Sequence, residues 1–222
     1  MIRAVIFDLD CTLIDRRLSI DVYLDHFLQR FGDNLRSPDP QKVRDVLGEA
    51  DGTVYAAETR PKDIVAALDW SKKPTLQAVD KHWLTVFPDC AVAMEDDHDV
   101  LDELREADMA LAILTNGSVT GQEAKIAHLG LDGRVDAVIV SEAVGAKKPD
   151  RRVFDATLES LDADAADAIY IGDHPVNDVQ GAIGAGWTAI WLRGWHDWPA
   201  ELPAAEHVID FLVEIPPLLD TL

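Results

Sequence analysis

The chain has 222 residues, with 41 Asp and Glu against 20 Lys and Arg, giving a formal charge of −21. That balance repels polyanions and argues against nucleic acid or an anionic membrane surface as partner. Hydrophobic residues make up 48% of the chain, enough for one α/β core plus a small accessory domain. No run approaches the roughly 20 apolar residues that span a bilayer. The N-terminal apolar stretch is short, ends in carboxylates and has no cleavage-site pattern. The two cysteines, Cys11 and Cys90, are too few for a disulfide framework, so a cytoplasmic location is expected. Cys11, next to Asp10, reads as a structural thiol.

Residues 4–7 (Ala-Val-Ile-Phe) form an apolar run that stops at Asp8-Leu9-Asp10. A short apolar run ending in polar groups predicts a central parallel strand, buried on both faces, with functional side chains at its carboxyl end. From about residue 16 to 90 the pattern is helical, at 22–31, 41–49, 61–68 and 75–86, with no convincing strand. This stretch is expected to form a helical cap domain (16–90) over the active end of the sheet, inserted into a core made of 1–15 and 91–222. The apolar runs then resume at 109–114, 135–140, 168–171 and 188–192, with a short last strand expected at 207–209. Helical spacing separates them at 100–107, 119–129, 151–161 and 176–185. Ser118 is placed to cap the second of these helices and Gly130 to stop it, while Pro149 suits the first turn of the third. Strands alternating with helices of this length predict an α/β fold, a doubly wound, Rossmann-like parallel sheet. Ligands bind such sheets outside the carboxyl ends of the strands.

Four polar clusters fall at those ends. Asp8 and Asp10 leave the first strand one residue apart, and close like charges call for a compensating cation. Thr115-Asn116-Gly117-Ser118 joins a strand to a helix, where free N–H groups bind anions. Lys147-Lys148-Pro149 follows the next strand, and the proline biases Lys148 to an extended backbone. Gly172-Asp173-His174-Pro175-Val176-Asn177-Asp178 brings a second acidic cluster to the same edge, as a hard divalent cation with oxygen ligands requires. Capping could account for Asn177 or Asp178 but not for Asp173. His174 is left out of the metal shell, since Mg²⁺ prefers oxygen.

In this order, D-x-D-x-T at Asp8 to Thr12, the strand-final Thr115-Asn116, the Lys148-Pro149 pair and G-D-x-x-x-x-D at Gly172 to Asp178 resemble the motifs of the haloacid dehalogenase-like superfamily. The resemblance covers nearly the whole chain, and the helical insertion is similar to that family's helical cap. It implies a Mg²⁺-dependent phosphatase acting on a small phosphorylated metabolite. Asp8 would be the nucleophile and form an aspartyl-phosphate, and Asp10 the general acid and base. The Asp10 backbone carbonyl, with the Asp8 and Asp173 carboxylates, would hold Mg²⁺, and Asp178 would support that shell. Thr115 and the Asn116 N–H would hold the phosphoryl oxygens, and Lys148 would offset charge, with Lys147 as its fallback. Cys11 departs from the Gly, Asp or Asn usual at its position, where only a small side chain is expected to be needed.

The same core is also compatible with a phosphomutase or a catalytically silent binding protein. A haloacid dehalogenase needs neither the proton of Asp10 nor the second acidic cluster. Within the helical stretch, Arg16, Arg17, Arg60 and Lys62 read as surface residues that could alternatively meet a second anionic group. Tyr23, Trp70 and Trp83 could line a pocket, with core packing favoured for Trp83. The aromatic segment 191–198 either borders the cap or packs on the sheet.

Overall fold

The computed structural model describes residues 2–52 and 56–222. The chain divides into two compact units, one of Met1–Asp15 with Ala93–Leu222 and one of Arg16–Val92.

The first unit is built on β1 (Ala4–Phe7), whose residues are all fully buried. In the second unit follow α1 (Arg16–Phe31), α2 (Pro40–Asp51), α3 (Ala56–Ala67) and α4 (Leu76–Val86). The first unit then continues through α5 (Asp97–Glu106), β2 (Ala110–Thr115), α6 (Val119–His128), β3 (Ala137–Val140), α7 (Ser141–Val144) and α8 (Arg151–Leu161). It closes with β4 (Ala168–Gly172), α9 (Gly181–Ala185), β5 (Thr188–Leu192), β6 (His207–Ile209) and α10 (Ile215–Leu219).

All strand pairs are parallel, in the order β3-β2-β1-β4-β5-β6. β1 therefore lies where the order reverses, and the carboxyl ends of β2, β1 and β4 stand side by side. Register keeps them level, with Phe7 opposite Ile113 on one side and Ile171 on the other. That level edge explains why residues far apart in sequence meet. Asp8 prolongs the ladder by one step, its N–H donating to the Ile171 carbonyl at 2.9 Å. Its side chain thus leaves from backbone that is still held.

The second unit is helical throughout its α-elements and packs an aromatic core. Tyr23, Phe27, Phe31, Trp70, Trp83 and Phe87 are all buried there with Val43, Leu47 and Ile64. Trp83 and Phe87 stack at 4.2 Å, and Tyr23 meets Trp83 edge-on at 4.7 Å. Tyr23, Trp70 and Trp83 therefore supply core packing. Asp39 caps α2 by accepting from the N–H groups of Gln41 and Lys42, which shields two of the donors a helix start leaves unmet.

Several local expectations shift. α1 begins at Arg16, six residues before the expected start at 22, and its first two residues are arginines. Pro61 lies inside α3 rather than opening it. Pro149 precedes the cap of α8, which is Asp150 accepting from Arg152 N–H, and the Lys148–Pro149 bond is cis. The stretch after β4 is a π-helical turn over Pro175–Gln180 before α9, not one continuous helix. Ser118 caps α6 by accepting from Gly121 N–H, and Gly130 follows that helix at φ +66°, as a left-handed stop requires.

Candidate active site

Asp8, Lys148, Asp173 and Asp178 are all buried at the carboxyl edge of the sheet. Asp8 stands at the end of β1, Asp173 follows β4, and Asp178 lies on the π-helical turn. Lys148 comes from the loop after α7. Its Nζ bonds Asp8 Oδ1 and Asp178 Oδ1, each at 2.7 Å, and also Tyr170 Oη at 2.7 Å. The Tyr170 hydroxyl donates onward to the Leu114 carbonyl at 2.8 Å. Lys148 itself is tied to the β2 loop, since its N–H donates to Asn116 Oδ1 at 2.8 Å and its carbonyl accepts from Asn116 Nδ2 at 3.2 Å. The fallback, Lys147, is exposed.

Oxygens of Asp8, Asp173 and Asp178 lie within 4.8 Å of one another. Lys148 is the ammonium bonded to two of these three buried groups, Asp8 and Asp178. Burial pushes the Asp8 carboxyl up to about 7, Lys148 opposes this, and the like charge of Asp178 adds to it. Burial, then Asp178 and Asp8, raise Asp173 well above the usual carboxylate range. Burial alone would lower Lys148, but Asp178 and Asp8 outweigh it and hold the ammonium charged. A hard divalent cation would relieve the remaining repulsion, and the all-oxygen donor set is one that Mg²⁺ accepts.

The turn that carries Asp178 is shaped for it. A Cβ at Gly172 would lie 2.5 Å from the Asp178 carboxyl carbon, so glycine leaves the room that this carboxylate fills. Asp178 Oδ2 also accepts from His174 N–H at 2.9 Å. His174 caps the turn through Nδ1, which accepts from the N–H groups of Val176 and Asn177. The aromatic segment that begins in β5 reaches the same cluster. Trp191 Nε1 donates to the Asp173 carbonyl at 2.8 Å, and His196 Nε2 lies 3.3 Å from Asp173 Oδ2.

Asp10 belongs to a second group. Its carboxylate faces Lys125 Nζ at 2.8 Å to both oxygens and Gln122 Nε2 at 3.0 Å. The same Gln122 nitrogen donates to Thr115 Oγ1 at 2.7 Å. Thr115 and Asn116 thus stand at the edge as expected, each bound to a different group. Gln122 and Lys125 escaped the sequence reading, as did Tyr170 and His196. The signal for the first two was an inner helix face bearing Gln and Lys three residues apart beside the apolar Ile126, all three buried.

Cys11 adopts φ +66°. Its position is therefore constrained by a left-handed backbone, which Gly, Asn and Asp tolerate, and not by side-chain size alone. Arg60 is a second correction. It is buried, and it shares the Asp51 carboxylate with Arg16, at 2.9 Å and 2.5 Å respectively.

A haloacid dehalogenase-like hydrolase family model matches residues 5–192. A ribulose-1,5-bisphosphate 5-phosphatase of Halopiger xanaduensis is 29% identical over 246 aligned positions, covering 99% of this chain and all of that one. A phosphoserine phosphatase of Thermus thermophilus is 39% identical over 92 residues, 41% of this chain and 37% of its own length. Among solved structures, the magnesium-bound HAD-hydrolase YfnB of Bacillus subtilis superposes with a TM-score of 0.79 at 19% identity, covering 99% of both chains. L-2-haloacid dehalogenase of Xanthobacter autotrophicus superposes with a TM-score of 0.71 at 19% identity, again over 99% of each.

Proposed function

This chain belongs to the haloacid dehalogenase-like hydrolases, and we propose that within them it is a Mg²⁺-dependent phosphatase of a small phosphorylated metabolite. The observation that carries this reading is the buried Asp8–Asp173–Asp178 triad around a single ammonium, Lys148. Dehalogenation needs no such triad, so a second acidic cluster favours phosphoryl transfer.

Asp8 is the nucleophile. Its carboxylate oxygen forms a bond to phosphorus as the ester P–O bond breaks, and Asp10 gives its proton to the departing alcohol. Asp10, now ionised, takes a proton from water, whose oxygen attacks phosphorus. The Asp8–phosphorus bond breaks, inorganic phosphate leaves, and both carboxyl groups return to their starting states. Thr115 Oγ1 and the Asn116 N–H hold the transferring oxygens, and Lys148 offsets the charge they share with Asp8. Mg²⁺ would be held by Asp8, Asp173 and the Asp10 backbone carbonyl with Asp178 in support, and it supplies neutralisation of phosphate charge. Choice of the leaving group is assigned to the helical unit, Arg16–Val92. Among the described residues no helix is long and apolar enough to cross a membrane.

The test is turnover of p-nitrophenyl phosphate with and without Mg²⁺, followed by a panel of phosphorylated metabolites. The panel starts from ribulose 1,5-bisphosphate, since the relative aligned over its full length is named for it. It continues through other sugar phosphates, phosphoglycolate and nucleoside monophosphates. Mg²⁺-dependent release of phosphate supports the reading; folded, Mg²⁺-loaded protein that hydrolyses none of them overturns it.

A further inference from the structure

Lys125 and Gln122 are the polar residues of α6 that turn inward, and every polar atom they carry has a defined task. Lys125 Nζ can only donate. It gives hydrogens to both oxygens of Asp10 at 2.8 Å and to Gln122 Oε1 at 2.9 Å. That last bond fixes the orientation of the Gln122 amide, because the oxygen must face the ammonium. The amide nitrogen is then committed to Asp10 Oδ2 and Thr115 Oγ1. Thr115 Oγ1, with one lone pair taken by Gln122, keeps its own hydrogen to donate toward a phosphoryl oxygen.

Both side chains are buried, at 4% exposure for Gln122 and 7% for Lys125, and the backbone makes room for them. Gly117 has no Cβ, and one placed there would lie 2.7 Å from Gln122 Cγ. The glycine of the Thr115-Asn116-Gly117 turn is thus required by the space Gln122 occupies; its backbone is not in the left-handed region.

We infer that Gln122 and Lys125 are positioning residues that lock the Asp10 carboxyl in line with the leaving-group oxygen and tie its orientation to the phosphoryl-binding hydroxyl of Thr115. This rests on the phosphatase reading and on Asp10 as its acid. The link is geometric: one amide holds both the proton donor and a group that grips the phosphoryl oxygens, so neither can swing without the other. Small displacements of such groups are costly in rate.

The experiment compares two esters by kcat/KM, which reports transfer to Asp8 and departure of the alcohol. An alkyl phosphate needs its leaving oxygen protonated, whereas p-nitrophenolate leaves as a stable anion. Asp10→Asn sets the benchmark pattern. Lys125→Met and Gln122→Met are then measured, the second removing the donors to Asp10 and Thr115 without adding a charge beside Asp10. The expected result is a loss of roughly 10²-fold on the alkyl ester, at least about tenfold larger than the loss on the aryl ester. Circular dichroism confirms that each variant is folded, and Gln122→Met remains informative if Lys125→Met does not fold. Equal losses on both esters, or no loss, overturn the positioning role while leaving the phosphatase reading intact. A wild type that turns over neither ester overturns the hydrolase reading itself, and an Asp10→Asn benchmark without leaving-group dependence removes Asp10 as the acid.

Discussion

The two units place buried charge in opposite ways. At the sheet edge three buried carboxyl groups, Asp8, Asp173 and Asp178, lie together, and one ammonium, Lys148, bonds Asp8 and Asp178. In the helical unit, Arg16 and Arg60 converge on one carboxylate, Asp51. Their guanidinium planes lie over the aromatic pair, Arg16 at 5.0 Å from Phe87 and Arg60 at 4.2 Å from Trp83, where a cation is attracted by the ring face. The second arrangement stabilises its own unit. In the first, burial and like charge raise Asp8 and Asp173 above the usual carboxylate range, a perturbation that clusters at functional sites.

The sharpest way to break this contrast is to remove one carboxylate from each cluster. Asp8→Asn is expected to lower kcat on any phosphate ester by about 10⁴-fold or more, since the covalent step loses its nucleophile. The same change removes a charge that is costly to bury, so the metal-free variant should melt no lower than wild type at neutral pH. The sign follows from the raised carboxyl of Asp8, pushed up to about 7 chiefly by burial. Folding favours its protonated form, so the cost of ionising it grows as pH rises from the ordinary carboxylate range through neutrality. A lower melting temperature for Asp8→Asn would show that the acidic cluster stabilises the fold after all.

Lys148→Met should act through stability as well as rate. It leaves the buried carboxyls of Asp8 and Asp178 without their ammonium, and losing one partner of a buried ion pair costs about 3–5 kcal/mol. Urea denaturation would measure it, and added Mg²⁺ should recover part of the loss by binding only the folded state. Asp51→Asn in the helical unit is expected to cost about 3 kcal/mol with a proportionate fall in urea midpoint. If Asp51→Asn proved neutral while Asp8→Asn was destabilising, the contrast between the units would be reversed.

How far the sequence revealed this follows from the same contrast. The core was legible because each strand ends at a polar motif: Phe7 before Asp8, Leu114 before Thr115, Gly172 before Asp173. Position on a known edge then gave their convergence. The sequence named Lys148 with Lys147 as its fallback, and three dimensions separate them: the loop bonded to Asn116 buries Lys148 and leaves Lys147 exposed. Gln122 and Lys125 were hidden because a polar pair on a helix ordinarily faces water; only packing against Asp10 reveals that they face in. Arg60 was misread for a related reason, since a charged residue is expected outside unless its partner is known, and Asp51 lies on another helix.

Cys11 offers the finest test of what a sequence pattern means physically. Its family counterpart is usually Gly, Asp or Asn, and the sequence suggested that small size is the requirement. The structure gives φ +66° instead, a conformation that costs a residue with a Cβ about 1–2 kcal/mol. The two explanations diverge at alanine, which is smaller than cysteine yet keeps the Cβ. If size governs, Cys11→Ala should equal Cys11→Gly in thermal stability. If the backbone governs, Cys11→Ala should match wild type, while Cys11→Gly and Cys11→Asn should gain about 0.5–1 kcal/mol after the glycine's extra unfolded-state freedom is counted. A β-branched Cys11→Val should then lose stability, because its side chain tolerates this region least. Differential scanning calorimetry of the four variants orders them directly. The order Gly and Asn above Ala and Cys above Val assigns the pattern to the turn that carries Asp8 and Asp10, and so separates the strained edge from the relaxed helical unit at the level of a single dihedral angle.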